Sequence, residues 1–310
     1  MNSSALRGFF QRFGLLISFL LLCLVLSLLS DRFLTPGNWV NILRQSSINL
    51  IIAIGMTYVI LTAGIDLSVG AVLALSTVVT ADLLQRGIPI LPTVILGLTL
   101  GGLLGLASGL LISRVKVPPF VATLGMMTVA RGLALTYTQG RPITGLPELF
   151  RSIGTGYLGP VPMPIIVAGM AFIAGYILLT RTRMGMNIYA LGNNPVAAHY
   201  AGIATSNYTT FVYVLAGALA ALAGMILVAR LDSAQPTAGI SYEFDAIAAV
   251  VVGGTSFAGG EGSLFGTLLG VLVISVLNNG LNLLNISSFY QPVVTGVVIA
   301  LALLLYKVVR

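Results

Sequence analysis

The groups able to do chemistry are few, and most of them lie inside or between long apolar runs. Asp66 and Ser68 follow Gly64, Glu261 lies between Gly260 and Gly262, and Arg131 stands within an apolar run. The amides Asn49, Asn278, Asn282 and Gln291 complete the set. Ionisable groups in a membrane span are costly and generally face a cavity or a partner. Asn278 and Asn282 are four apart, so they share one helix face. A path for a hydroxyl-rich solute needs such amide and hydroxyl groups to replace lost water. The same residues also fit structural roles: the Asn set as interhelical hydrogen bonds, Arg131 as a snorkelling side chain, and Asp66 and Glu261 as helix-start caps favoured by the macrodipole. Catalysis finds no support. His199 is the only histidine and Cys23 the only cysteine, which excludes a disulfide framework and a His- or Cys-cluster metal site. The two lysines, Lys116 and Lys307, are each followed by Val and lack the upstream glycine of a P-loop. No cofactor is expected, and any ATP hydrolysis belongs to another polypeptide.

Composition sets the frame that must position these groups. The chain has 310 residues, 57% hydrophobic and 7% charged, with mean hydropathy +1.03; a soluble domain would carry about 25% charged residues. The fold class is all-α, a single polytopic transmembrane domain over residues 1–310. The net charge of +7 gives no reason to expect a nucleic-acid partner. Ten spans are expected: Phe13–Ser30, Ser46–Ala63, Ser68–Leu84, Ile90–Ser113, Val117–Tyr137, Ile165–Thr180, Thr210–Ala229, Phe244–Phe257, Leu264–Leu284 and Ser288–Tyr306. Asp31–Gln45, with Pro36-Gly37-Asn38 and the only tryptophan, Trp39, is expected as an interfacial turn and short helix. Gly97, Gly101, Gly105 and Gly109 form a ridge for close helix packing, and Ala216, Ala220 and Gly224 a second.

The connector Arg181–Ser206 begins with two arginines. Within it Gly192-Asn193-Asn194-Pro195 has the chemistry of a helix start: an Asn cap, then a Pro that loses no hydrogen bond. Small residues follow, including Ala197 and Ala198, and Gly202 can close the helix in the left-handed conformation. Such a short helix either docks on a soluble partner or is an ordinary connector. With the N-terminus inside, the inner segments hold Arg7, Arg12, Arg114, Lys116, Arg181, Arg183, Lys307 and Arg310. That is eight basic residues against six outside, so both termini and the connector are expected in the cytoplasm. Ala63-Gly64-Ile65-Asp66-Leu67-Ser68 and Ala258-Gly259-Gly260-Glu261-Gly262-Ser263 share Ala-Gly-x-acid-x-Ser, which suggests two related halves, parallel or inverted, with interrupted helices along a transport path.

These stretches carry a family resemblance. GMTYVILTAGIDLSVG (55–70), the run 229–263 and NNGLNLLNISSFYQ (278–291) resemble the permease subunit of ribose-type ABC importers. RMGMNIYALGNNPVAAHYAGI (183–203) is similar to that family's cytoplasmic coupling loop, with Met186 in place of a basic residue. The resemblance implies a bacterial inner-membrane permease of type II importer fold, acting with a second copy of itself, surrounded by membrane lipid. It also implies a cytoplasmic ATP-binding subunit and a periplasmic sugar-binding protein as partners. Gly192, Asn193, Asn194, Pro195, Ala197, Ala198 and Gly202 would then couple to the ATPase. Because the binding protein supplies capture, no deep polar high-affinity pocket is expected in this chain. An ion-coupled secondary transporter, with Asp66 and Glu261 as coupling carboxylates, is the competing reading.

Overall fold

The computed structural model describes residues 3–298. The chain is a bundle of α-helices: α1 (Ser3–Leu29), α2 (Pro36–Leu61), α3 (Val69–Gln85), α4 (Ile90–Ser113), α5 (Pro119–Thr138), α6 (Glu148–Thr155), α7 (Met163–Arg181), α8 (Arg183–Asn193), α9 (Pro195–Tyr200), α10 (Thr205–Leu231), α11 (Tyr242–Val252) and α12 (Leu264–Leu283). Six of them, α2, α4, α5, α7, α10 and α12, are long and apolar enough to cross a membrane. Gly14–Leu29 and α3 are shorter apolar helices. The tenth expected run lies partly outside the described residues.

α2, α3 and α10 form the centre; side chains of α2 and α3 are buried over most of their length, and those of α10 chiefly over its second half. Peripheral α4, α5 and α7 expose Leu91, Leu103, Val129, Leu133 and Ile173, side chains that only an apolar solvent would leave uncovered at this density. Two expectations need correction. Pro36-Gly37-Asn38 does not make a separate turn and short helix. Pro36 occupies the first helical position, where its missing N–H costs nothing, and the helix runs on unbroken through the expected second span to Leu61. The eighth run is also shorter than expected. α11 has 11 residues and is about 16 Å long at 1.5 Å per residue, roughly half a bilayer core; Gly253-Gly254 ends it, and 253–263 continues as irregular backbone.

Small residues let the helices approach. An added Cβ at Gly101 would lie 2.4 Å from the Gly217 carbonyl oxygen, and one at Gly105 2.1 Å from the Tyr213 carbonyl oxygen. The α4 ridge therefore packs on α10, as its spacing implied. The α10 ridge turns the other way: Ala216 meets Gly55 of α2, and Gly224 meets Leu73 and Thr77 of α3. Gly105→Val is expected to cost about 1–3 kcal/mol, lowering the thermal midpoint in detergent by several degrees. Gly102→Ala, where the nearest atom is 3.7 Å away, serves as the control and should not lower the midpoint.

Connections cluster at two ends of the bundle. At one end β1 (Ile143–Thr144) pairs antiparallel with β4 (Ser233–Ala234), and Leu146 N–H donates to Asp232 at 2.8 Å. The short hairpin β2 (Tyr157–Leu158) and β3 (Val161–Pro162) lies there too, with the Arg44 guanidinium over the Tyr157 ring at 4.8 Å. At the other end the 61–64 turn, the α8–α9 elbow and the 258–263 turn touch one another. Alternation of turns between two ends is what successive crossings require.

Candidate functional site

Two features stand out, a polar cavity and the junction at the opposite end. The cavity has a volume of about 290 Å³ and lies where α2, α11, α12 and the segment after Gln291 converge. α2 contributes Gln45 and Asn49, α11 and its lead-in contribute Ser241, Tyr242 and Asp245, and α12 contributes Asn278; Gln291 and Thr295 close it. The resemblance implied no deep polar high-affinity pocket, and this recess, whose lining is in good part polar, was not singled out from the sequence. Of the expected pathway residues it brings together Asn49, Asn278 and Gln291, with Asn282 tied on through a 2.9 Å hydrogen bond donated by the Gln291 amide. Asp66, Ser68, Arg131 and Glu261 do not line it.

The three asparagines of α12 have separated roles. Asn279 exchanges two hydrogen bonds with Asn38 of α2, at 3.0 and 2.8 Å, which is the interhelical pairing that such amides offer. Asn282 accepts from Gln291. Asn278 is 5% exposed, lines the cavity, and its Oδ1 has no hydrogen-bond partner among the described residues. Sequence reading did not single out Asp245, which falls at the start of the expected eighth run. In the structure it is on the first turn of α11, where Thr295 donates to its Oδ1 at 3.3 Å.

Irregular backbone enters the bundle from both ends, and protein groups satisfy it. Asp66 is buried between α2 and α3; its Oδ1 accepts from the Ser68 N–H at 2.8 Å and the Ser68 hydroxyl at 2.6 Å. Thr123 of α5 donates to the Ile65 carbonyl at 3.3 Å. From the other end, 235–241 descends beside α5. Arg131, seven residues from that end of α5, donates to the carbonyls of Pro236 and Ala238 at 2.7 and 2.8 Å. The second segment meets the first turn of α3 where Gly70 faces Gly239, with space for no Cβ: one built on Gly70 would lie 2.0 Å from the Gly239 oxygen. Backbone outside helices is tolerated at membrane depth only when satisfied in this way. Arg131 thus positions the lead-in to α11. Arg131→Met, which keeps the apolar stem but removes two charge-assisted hydrogen bonds, is expected to lower the thermal midpoint in detergent by several degrees. A midpoint unchanged from wild type would remove this role.

At the opposite end α8 and α9 form an elbow. Thr182 caps α8, and Asn194 caps α9, its side chain accepting from Val196 and Ala197 N–H at 3.1 and 2.9 Å. Pro195 occupies the first helical position and Gly202, at φ +80°, closes the helix. The Asn-Pro start and Gly stop therefore form as their chemistry implied. Asn193, Pro195 and Ala197 are exposed, while Ala198 is buried against the bundle. Val196 and Tyr200, which sequence reasoning did not single out, project outward at 65% and 85% exposure. Beneath this knuckle Gly192 is wedged against the end of α2: an added Cβ would lie 1.8 Å from the Leu61 oxygen and 2.5 Å from the Gly260 nitrogen. Those two atoms are themselves hydrogen-bonded at 2.9 Å, and Tyr189 of α8 donates to the Gly262 carbonyl at 2.8 Å. The two Ala-Gly-x-acid-x-Ser stretches thus touch each other and the connector.

The same three elements carry both features. α2 ends at the junction and presents Asn49 to the cavity, while α11 and α12 flank the 253–263 turn and present Asp245 and Asn278. A 2.8 Å hydrogen bond between Thr57 and Thr267 ties α2 to α12 between the two ends.

Comparison with known proteins agrees with this arrangement. A family model described as branched-chain amino acid transport system / permease component matches residues 38–304. The ribose import permease protein RbsC of Bacillus subtilis is 52% identical over 300 residues, covering 96% of this chain and 93% of the relative. RbsC of Escherichia coli K12 is 50% identical over 293 residues, covering 93% and 91%. The D-allose transport system permease protein AlsC of the same organism is 39% identical over 306 residues, covering 97% and 93%. No solved structure matches. A multi-pass helical bundle with a match of this extent has one reading: the chain belongs to this family of transport-system permease components.

Proposed function

We propose that this chain is the membrane-spanning subunit of an ATP-binding-cassette importer that carries ribose from periplasm to cytoplasm. The observation that carries the proposal is continuity: a capped, protruding knuckle is joined through a backbone-tight junction to the helices that line a polar cavity. Identity of about half with ribose import permeases over nearly the whole chain supports the choice of ribose.

In this reading ten membrane-embedded segments form each copy, with both termini in the cytoplasm, and two copies act together. A cytoplasmic ATP-binding subunit grips Val196 and Tyr200 on α9, with Asn193, Asn194, Pro195 and Ala197 framing them. ATP hydrolysis takes place in that subunit. Its closure displaces α9, and Gly192 passes the displacement to Leu61 and Gly260 because no compressible side chain lies between them. α2, α11 and α12 then tilt relative to one another, which changes access to the cavity from the periplasmic to the cytoplasmic side. A periplasmic sugar-binding protein delivers the solute at the β1–β4 end. Asp66, held by Ser68, secures the start of α3 during this movement.

The test is co-reconstitution of the chain with its ATP-binding subunit and sugar-loaded binding protein in proteoliposomes. Uphill ribose uptake should require ATP and persist with an uncoupler. Uptake abolished by the uncoupler, or proceeding without the ATP-binding subunit, would refute the proposal.

A further inference from the structure

We propose that the cavity between α2, α11 and α12 is a solute subsite within the permease itself, selective for neutral polyhydroxylated molecules. Asp245 and Asn278 are the acceptors that read the solute's hydroxyl groups. The inference rests on the sugar-permease reading and adds a selectivity step to it.

The strongest pointer is Asn278. The residue is 5% exposed and lines a cavity large enough for a small solute, and its enclosed Oδ1 has no partner among the described residues. A buried amide oxygen left unpaired is costly unless something supplies a donor. Asp245, on the facing helix, has one oxygen engaged by Thr295, and no salt bridge reaches it among the described residues. The lining therefore has two acceptors in need of donors. Sugar hydroxyls donate; phosphate and carboxylate oxygens do not, and their charge would oppose that of Asp245. Asn49 and Gln291 carry amides that can donate or accept, so they suit the remaining hydroxyls in either direction. Arg44, next to Gln45 in the chain, does not line the cavity; its guanidinium lies over the Tyr157 ring. Asn278 is also within five residues of the α12 end at Leu283, which places the subsite toward the β1–β4 end, where solute would arrive.

The experiment uses the purified full chain with ribose and, separately, ribose 5-phosphate, each at millimolar concentration, read by saturation-transfer NMR. Ribose should give a saturable signal and the phosphate none. Asp245→Asn and, independently, Asn278→Leu should each weaken ribose binding at least tenfold. Asp245→Glu, which keeps the charge, should bind ribose more tightly than Asp245→Asn. Equal binding of ribose and its phosphate, unchanged binding by both variants, or no ribose signal from the wild-type chain would overturn the subsite. ATP-driven ribose uptake by the complete transporter is read in parallel. Uptake that persists while the binding prediction fails removes the subsite and leaves the proposed function standing, whereas no uptake removes the proposed function.

Discussion

Truncating the two outward side chains of α9, Val196→Ser with Tyr200→Ala, will abolish ATP-driven uptake and leave the permease folded. Val196 and Tyr200 are 65% and 85% exposed, so they contribute little to the bundle and their removal should not lower its thermal midpoint. An exposed tyrosine on a protruding helix has the character of an interface anchor. Truncation of such anchors costs about 2 kcal/mol or more, roughly thirtyfold in affinity. The expected result is loss of co-purification with the ATP-binding subunit and loss of uptake, at unchanged expression and midpoint. Co-purification at the wild-type level would show that the partner grips another surface.

Gly192→Val should act differently. Its Cβ would fall 1.8 Å from the Leu61 oxygen and 2.5 Å from the Gly260 nitrogen, both backbone atoms without freedom to rotate away. Relief requires breaking the 2.9 Å hydrogen bond between those residues and lifting α8 from the end of α2. Overpacking of this kind costs about 1–3 kcal/mol, so the midpoint falls by several degrees. The exposed face of α9 is untouched, and the ATP-binding subunit should still dock. ATP should then be hydrolysed with little ribose moved, a rise in ATP consumed per solute of tenfold or more. A variant with the wild-type ratio would mean that force reaches the cavity by another route.

The contrast between these two variants mirrors what could be read from sequence. Features decided by neighbours in the chain were legible. Asn194-Pro195 caps α9, Gly202 closes it, and the Gly97–Gly109 spacing forms a packing ridge, because each depends on only a few consecutive residues or one helix face. Features decided by distant partners were not. Asp31–Gln45 looked like a turn because Pro-Gly-Asn is turn chemistry. Yet Asn38 bonds to Asn279, 241 residues away, and Phe33 packs its ring 5.7 Å from that of Trp39, so this end is anchored against the bundle and the helix continues. Asp245, at the start of the expected eighth run, was not singled out because nothing local shows that Gly239 meets Gly70 and draws the segment inward. Arg131 illustrates the same limit. Its position in an apolar run marked it as costly, but the carbonyls it serves lie 105 and 107 residues away. The paired Ala-Gly-x-acid-x-Ser stretches were visible as a pattern, while their contact through Leu61, Gly192 and Gly260 required the fold.

The account depends on the knuckle at α9 facing the compartment that holds ATP. Sidedness of labelling measures this directly. Val196→Cys, in a Cys23→Ser background, gives one exposed thiol for a membrane-impermeant maleimide. Labelling should occur in inside-out membrane vesicles and be absent from intact right-side-out vesicles, and the bound ATP-binding subunit should block it. Labelling from the outer face of right-side-out vesicles would contradict the proposed direction of force.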